Sequence, residues 1–401
     1  MIIKRRLAQT IRNHWDANSF IQLAGPQSAG RRFLAERIFH WSKEDGAPQT
    51  QSPDLLKYEF NTFRRGETYL VLEKDWPELR RRPQPYVALN PSPGNSRFTL
   101  LPVTLSELGT IPKKSADFML YLMRGGYPGG LDPRFRPGDF YTDFLAEWYA
   151  EIRGRLIRPS LMETFKRFMR LCAEQSGSML NCSRLARALG VSQPLVRRWV
   201  DVLVREHLVH LLPVYPESFC RRVVRTPKLY FWDTGIMCAA MGIYTWMQLL
   251  GPGSENVQET WLVGELRKTL IHEGISHGLY YWRDRRGLHL PLILHTGPNR
   301  VVMTMEDSRP ARRDSPELKE WTRLAGSDWK LVRALTSSRF IDRHGIHHIP
   351  WHAVPELLVK PIAPINRTPV GDWVPAEAES RFVSLPQGAS MAQDFADIEA
   401  R

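Results

Sequence analysis

Hydrophobic and polar positions change their period several times along this 401-residue chain, and each change marks an element. Residues 19–24 form a short, mostly apolar run that stops at Gly25-Pro26, the pattern of a strand entering a sharp turn. Residues 32–41 then place Phe33, Leu34, Ile38 and Trp41 on one face of a predicted helix. Residues 68–72, 85–89 and 98–103 are further short apolar runs, each the length of a strand buried in a parallel sheet, and the turn-rich segment 90–95 joins the last two. Strands alternating with helices and loops predict an α/β domain over residues 1–112, entered through a basic amphipathic helix within residues 1–18. Residues 113–160 are helical and interrupted by Arg124-Gly-Gly-Tyr-Pro-Gly-Gly130, which suggests a lid-like bundle.

The clearest periodicity follows. A helix is expected from residue 161 to about 175, another over 183–190, a third over 191–204, and an apolar strand over 208–212. Short helix, glycine turn, Ser192 at an N-cap, second helix and closing hairpin predict a winged helix-turn-helix within 161–230. In its second helix Val196, Trp199, Val200 and Leu203 recur at i, i+3, i+4 and i+7 and form the inner face. Gln193, Arg197, Arg198 and Arg205 then point outward, and Arg184 and Arg187 sit on the preceding helix. Such a face suits duplex DNA, with Arg184, Arg187, Gln193, Arg197 and Arg198 as contacts, or equally a protein partner.

Charge distribution sharpens that choice. The chain carries a formal +13, and residues 151–230 hold 15 Lys and Arg against 6 Asp and Glu, a net +9. Most of the excess therefore lies on about a fifth of the sequence, favouring anionic partners. No apolar run approaches the roughly 18 residues of a membrane span, and Met1-Ile-Ile-Lys-Arg-Arg6 leads into no apolar signal core, so neither a membrane anchor nor a secretory signal is expected. Cys172, Cys182, Cys220 and Cys238 have neither metal-type spacing nor a disulfide framework, as expected of reduced thiols in a cytoplasmic protein.

Candidate chemistry begins at the first turn. Gly25, Pro26, Gln27, Ser28, Ala29 and Gly30 have the length and glycine spacing of a phosphate-binding loop, G-x-x-x-x-G-K-[ST], between a strand and a helix. Arg31 stands where Lys would reach the β- and γ-phosphates, and Arg32 where Ser or Thr would hold Mg²⁺. The strand at 68–72 ends in Glu73-Lys-Asp75, keeping one acid and placing Lys74 in the second position of the expected pair. The same turn also fits a tight strand-to-helix connection that binds nothing.

This loop, Leu212-Pro-Val-Tyr215, Arg221-Arg222, Pro227-Lys-Leu-Tyr-Phe-Trp-Asp-Thr-Gly235, Glu259-Thr-Trp-Leu-Val-Gly-Glu-Leu-Arg-Lys268 and Tyr280-Tyr-Trp-Arg283 together resemble a bacterial and archaeal family of AAA-like ATPases. Its members have a central winged helix and a C-terminal domain that looks like a PD-(D/E)xK restriction-endonuclease fold. The resemblance spans about residues 5–360. It implies an α/β protein: a P-loop NTPase-like parallel sheet over 1–112, a helical lid over 113–160, a winged helix-turn-helix over 161–230 and a restriction-endonuclease-like α/β domain over 231–360. Residues 361–401 are expected to form a loosely ordered tail.

By the same resemblance the nuclease centre is stripped. His289 and Pro291 occupy the acidic positions of one strand, and Thr304 and Glu306 those of the Glu-x-Lys strand, beside Asp307. Glu259 and Glu265 remain as vestigial acids, six residues apart and off a common helix face, so no metal site is expected. His344, His347, His348 and His352 suggest a terminal strand with alternating faces more than a metal cluster. The expectation is a catalytically impaired family member acting as a DNA-associated scaffold or regulatory subunit, with a protein partner or homo-oligomer. ATP or ADP would bind weakly without a firm Mg²⁺ site. The alternatives are a residual ATPase using Arg31 and a protein–protein adaptor acting through the winged helix.

Overall fold

The computed structural model describes residues 6–13, 20–26, 28–29, 34, 69–72, 96–108, 115–134, 136–215, 226–250, 254–275, 278–296, 299–305, 316–326, 328–336, 339–342 and 345–354. The expected helix over 32–41 (Leu34 apart), the strand over 85–89 and the tail over 361–401 lie outside them.

Helix α1 (Arg6–Asn13) precedes β1 (Phe20–Ala24), which pairs in parallel with β2 (Tyr69–Leu72) on one side and β3 (Ser96–Thr99) on the other. The strand expected over 98–103 ends early, because other partners take the backbone beyond Thr99. Leu101 N–H donates to His272 Nε2 at 3.2 Å and Val103 N–H to the Gly126 carbonyl at 2.6 Å. Gly25 fits against this same segment. Its φ is +138°, and a Cβ there would lie 2.0 Å from the Leu100 carbonyl oxygen, so conformation and space both demand glycine.

The middle of the chain is helical: α2 (Ser115–Arg124), α3 (Pro128–Leu131), α4 (Pro137–Ile152) and α5 (Met162–Glu174). Then come α6 (Cys182–Leu189), α7 (Gln193–Arg205), β4 (Val209–Leu212), β5 (Lys228–Phe231) and α8 (Thr234–Met241). Strands β4 and β5 pair antiparallel, but residues 213–227 separate them, so no tight hairpin closes the helix-turn-helix. Instead Tyr215 N–H donates to the Tyr281 carbonyl at 2.9 Å, and Val214 bridges to Tyr281. The apolar stripe of α7 seats as its spacing requires: Val196, Trp199, Val200 and Leu203 are buried, with Trp199 5.4 Å from both Phe165 and Phe168 on α5. Helix α8 packs on α2, α4 and α5, closing the helical unit.

Helix α9 (Ser254–His272) has no solvent face along most of its length, since Val257, Trp261, Leu262, Val263, Leu266 and Leu270 are buried around its circumference. After it come β6 (Leu279–Arg283), β7 (His289–Thr296), β8 (Asn299–Met305), α10 (Pro316–Ala325), β9 (Lys330–Ala334), β10 (Phe340–Ile341) and β11 (His347–Ile349). The six strands run in the order β10-β11-β9-β8-β7-β6, antiparallel from β6 to β8 and parallel across β8–β9–β11. The chain is thus mixed α/β. One apolar core joins its middle to its end: Trp351, past the last strand, stacks 4.7 Å from Phe118 of α2, which meets Trp261 of α9 at 5.0 Å.

Candidate functional site

The polar residues of α9 form a buried ladder. Glu259 accepts from Tyr230 Oη at 2.6 Å and Lys228 Nζ at 3.1 Å. Nearly two turns on, Glu265 accepts the Leu105 N–H at 2.5 Å and lies 3.4 Å from Lys268 Nζ, which donates to the Val103 carbonyl at 3.3 Å. His272 receives the Leu101 N–H, and its ring lies 3.7 Å from Glu107. Glu107 in turn caps its own turn, accepting the N–H groups of Thr104 at 2.9 Å and Arg6 at 2.8 Å. Burial raises the Glu265 pKa while Lys268 opposes the rise, so the pair holds together at the expense of desolvation.

Glu259 and Glu265 therefore diverge, as their spacing required, and serve different neighbours. Glu265 braces the 101–107 strap behind Gly25; Glu259 faces β5. Beside Glu259, Lys228 Nζ lies 5.6 Å from the Tyr281 ring and 5.9 Å from that of Tyr230. His289 on β7 has its pKa pushed down to about 3, first by burial and then by Lys228 and Arg283. Around Glu259 the protein thus gathers the Lys228 ammonium and the neutral His289 imidazole, and the carboxylate itself is already engaged by Lys228 and Tyr230. Among the described residues no cluster of three or more His, Cys, Asp or Glu is placed to hold a metal. Glu306 and Asp307 lie outside those residues. His347 and His348 fall on β11, where His348 stacks 4.0 Å from Phe340 with Nε2 3.4 Å from Asp342; His344 lies outside the described residues.

Asp233, from the Pro227–Gly235 string, is also spent on structure. It caps α8 by accepting the Ile236 N–H at 3.1 Å and receives the Gly126 N–H at 2.6 Å, tying the glycine-rich interruption of the bundle to the helix after β5. The partners of these acids lie up to 160 residues away in sequence, so spacing could mark the residues but not their role.

The helix-turn-helix presents its charges differently. Asn181 caps α6 through the Arg184 N–H, Gly190 turns the chain at φ +68°, and α7 starts with Pro194 in its first turn. Arg184, Arg187, Arg197 and Arg198 are all exposed and Gln193 is half-buried. Among the described residues none of the four arginines forms an ion pair. Ser192 takes the N-cap position of α7, yet its side chain makes no cap bond.

At the first turn, Pro26 and Ala29 are buried and Ser28 is exposed with φ +59°. Gln27, Gly30, Arg31, Arg32 and Glu73 lie outside the described residues. Among the described residues no helix is long and apolar enough to cross a membrane, and Cys172, Cys182 and Cys238 are free thiols.

No solved structure matches the chain. Two relatives do, the uncharacterized proteins Rv2008c of Mycobacterium tuberculosis and Mb2031c of Mycobacterium bovis. Each is 27% identical over 239 residues, 58% of this chain and 50% of the relative, so the chain spans about half the length of the curated relatives it matches. Residues 115–246 match the model of a domain of unknown function, DUF8612. That stretch runs from α2 past α8 and so contains the helix-turn-helix, β4–β5 and Asp233 as one unit.

Proposed function

We propose that this chain is a catalytically impaired member of the AAA-like ATPase family that acts as a DNA-associated scaffold or regulatory subunit. The observation that carries the reading is the exposed face of Arg184, Arg187, Arg197 and Arg198, whose charges no carboxylate among the described residues answers. Guanidinium groups on a helix-turn-helix suit phosphate oxygens and guanine edges. The local net charge of +9 over residues 151–230 adds long-range attraction for a polyanion. Impairment is supported by His289 and Pro291 at positions where the resemblance implies acids, and by Arg31 and Arg32 in place of the P-loop Lys and hydroxyl. Any ATP or ADP at the Gly25–Gly30 turn would rest on backbone N–H groups without a firm Mg²⁺ site.

Fluorescence anisotropy of a labelled duplex at two salt concentrations tests this. Binding should weaken with salt by roughly 0.9 log–log units per phosphate contact, and the Arg197→Ala/Arg198→Ala variant should bind more weakly. If parent and variant bind alike, or neither binds at low salt, this face takes a protein partner and the adaptor reading leads.

A further inference from the structure

Helix α9 carries a second cation whose position neither the helix-turn-helix nor the buried ladder explains. Arg267 is largely buried. Its Nη1 donates to the Leu211 carbonyl at 2.7 Å and faces His210 Nδ1 at 3.1 Å, and its guanidinium lies 5.7 Å from the Trp232 ring. None of these neighbours is an anion. His210 is itself held neutral, its pKa lowered first by burial and then by Arg267 and Lys268. The two acids of α9 nearest to it in sequence are committed elsewhere, Glu259 to Lys228 and Tyr230 and Glu265 to Leu105 and Lys268, and Glu255 lies exposed in the first turn. Just past the helix, Glu273 pairs with Arg6. Burial draws the Arg267 pKa down to about 10, and no carboxylate among the described residues raises it. A buried guanidinium without a counter-ion is costly, and buried charges are ordinarily paired.

The same side chain lines a small pocket of about 70 Å³, partly open to solvent, between the end of α9 and β6. The other walls are apolar: Pro213, Leu270, Ile271, Leu279 and Tyr280, with partly exposed Ile275 among them. Among the described residues only Nη1 is hydrogen-bonded, which leaves Nε and Nη2 as a donor fork matched to two oxygens of one carboxylate. We propose that this pocket binds a small carboxylate with an apolar body, a short alkyl or aryl acid, with Arg267 as its counter-ion. The hydrocarbon would pack on Leu270, Ile271 and Leu279, and the bound anion would supply the missing charge. The site is separate from the DNA face and does not depend on the reading of that face.

Saturation-transfer NMR on the full chain tests this, with sodium hexanoate as the probe and hexan-1-ol as its uncharged counterpart. Hexanoate should saturate and the alcohol should bind at least about tenfold more weakly, the separation expected when the charge is recognised. Arg267→Gln should abolish the difference. Because Arg267 also holds Leu211, Ile275→Glu provides a second reading at a partly exposed position. It places a like charge beside the probe, and should weaken hexanoate at least about tenfold, and by a larger factor than it weakens hexan-1-ol. Absence of saturable hexanoate binding, equal binding of acid and alcohol, or Ile275→Glu binding hexanoate as the parent does would each overturn the proposal.

Discussion

Helices α7 and α9 both carry several charges, and they use them in opposite ways. On α9, Glu259, Glu265, Lys268 and His272 point into the protein, and each meets a side chain or a backbone group of a distant segment. On α7, Arg197 and Arg198 point out and meet no carboxylate among the described residues. A buried charge has already exchanged water for protein partners, and its removal strands those partners. An exposed, unmatched charge has given up little hydration and can still meet a ligand. The acids that sequence reasoning offers for metal chemistry belong to the first class, whereas the arginines it offers for DNA belong to the second. Function is better sought where charge remains unspent.

The most direct way to break this contrast is to remove one member of the α9 ladder. Glu265→Leu leaves the Lys268 ammonium without its carboxylate and the Leu105 N–H without its acceptor. Breaking a buried pair from one side costs about 3–5 kcal/mol. Urea unfolding should show that loss, and Glu265→Leu/Lys268→Leu should recover part of it, since two apolar residues leave no buried charge. A single variant that unfolds at the parental midpoint would mean that the ladder is incidental.

Trp351 offers a test through packing instead of charge. It is buried, stacks on Phe118 and faces Trp261 at 6.2 Å, so it joins the last described segment to both α2 and α9. Trp351→Ala should cost about 3–5 kcal/mol, with part of the loss coming from the cavity left between two helices. Hydrogen exchange of the α9 amides along the denaturant series should shift together with global unfolding if the core is continuous. Separate transitions would show that α9 and the C-terminal sheet fold apart from the helical unit.

His289 sharpens the comparison within the C-terminal unit. Its pKa is about 3 when folded, against an ordinary value near 6.5. Below pH 6.5 the unfolded chain therefore takes up a proton that the folded protein refuses. Stability contributed by the neutral ring is complete above that pH and falls as pH drops, by about 1.4 kcal/mol per unit, or roughly 2 kcal/mol by pH 5. His289→Gln should remove that part of the acid sensitivity. Equal acid sensitivity in parent and variant would place His289 in solvent contact, away from Lys228 and Arg283.

Legibility in the sequence followed the range of the interactions. The inner face of α7 was readable because four apolar residues within two turns can only be buried together. The divergence of Glu259 and Glu265 was readable from helix geometry alone. Their partners were not: Lys228 lies on a strand of the preceding unit, and Leu105 offers a backbone N–H that no side-chain pattern signals. The early end of β3 had the same cause, since Leu100–Val103 is apolar enough for a strand while His272 and Gly126 claim its backbone. Arg267 carries no signal of its own within its motif, because an arginine on a helix is usually solvated and only the fold shows this one largely buried. The helix-turn-helix was clear as a local pattern, but the long excursion between β4 and β5, which docks Tyr215 on β6, depends on a sheet formed later in the chain.

The smallest expected change in stability is also the most specific test of the contrast. Arg197 and Arg198 lie off the buried stripe of α7 and form no ion pair among the described residues, so their removal strands no partner. Arg197→Ala/Arg198→Ala should alter unfolding free energy by less than about 0.5 kcal/mol, the range of ordinary surface substitutions. Alanine is also a better helix former than arginine, which favours the variant slightly. Duplex binding should respond in the opposite measure. If each arginine neutralises one phosphate, the log–log salt slope should become shallower by about 1.8 units, from two contacts at roughly 0.9 each. Weaker binding with an unchanged slope would assign the pair to base edges rather than phosphates, because a base contact releases few counter-ions. A stability loss comparable with that of Glu265→Leu would erase the distinction between the helices, since the arginines would then be structural as well.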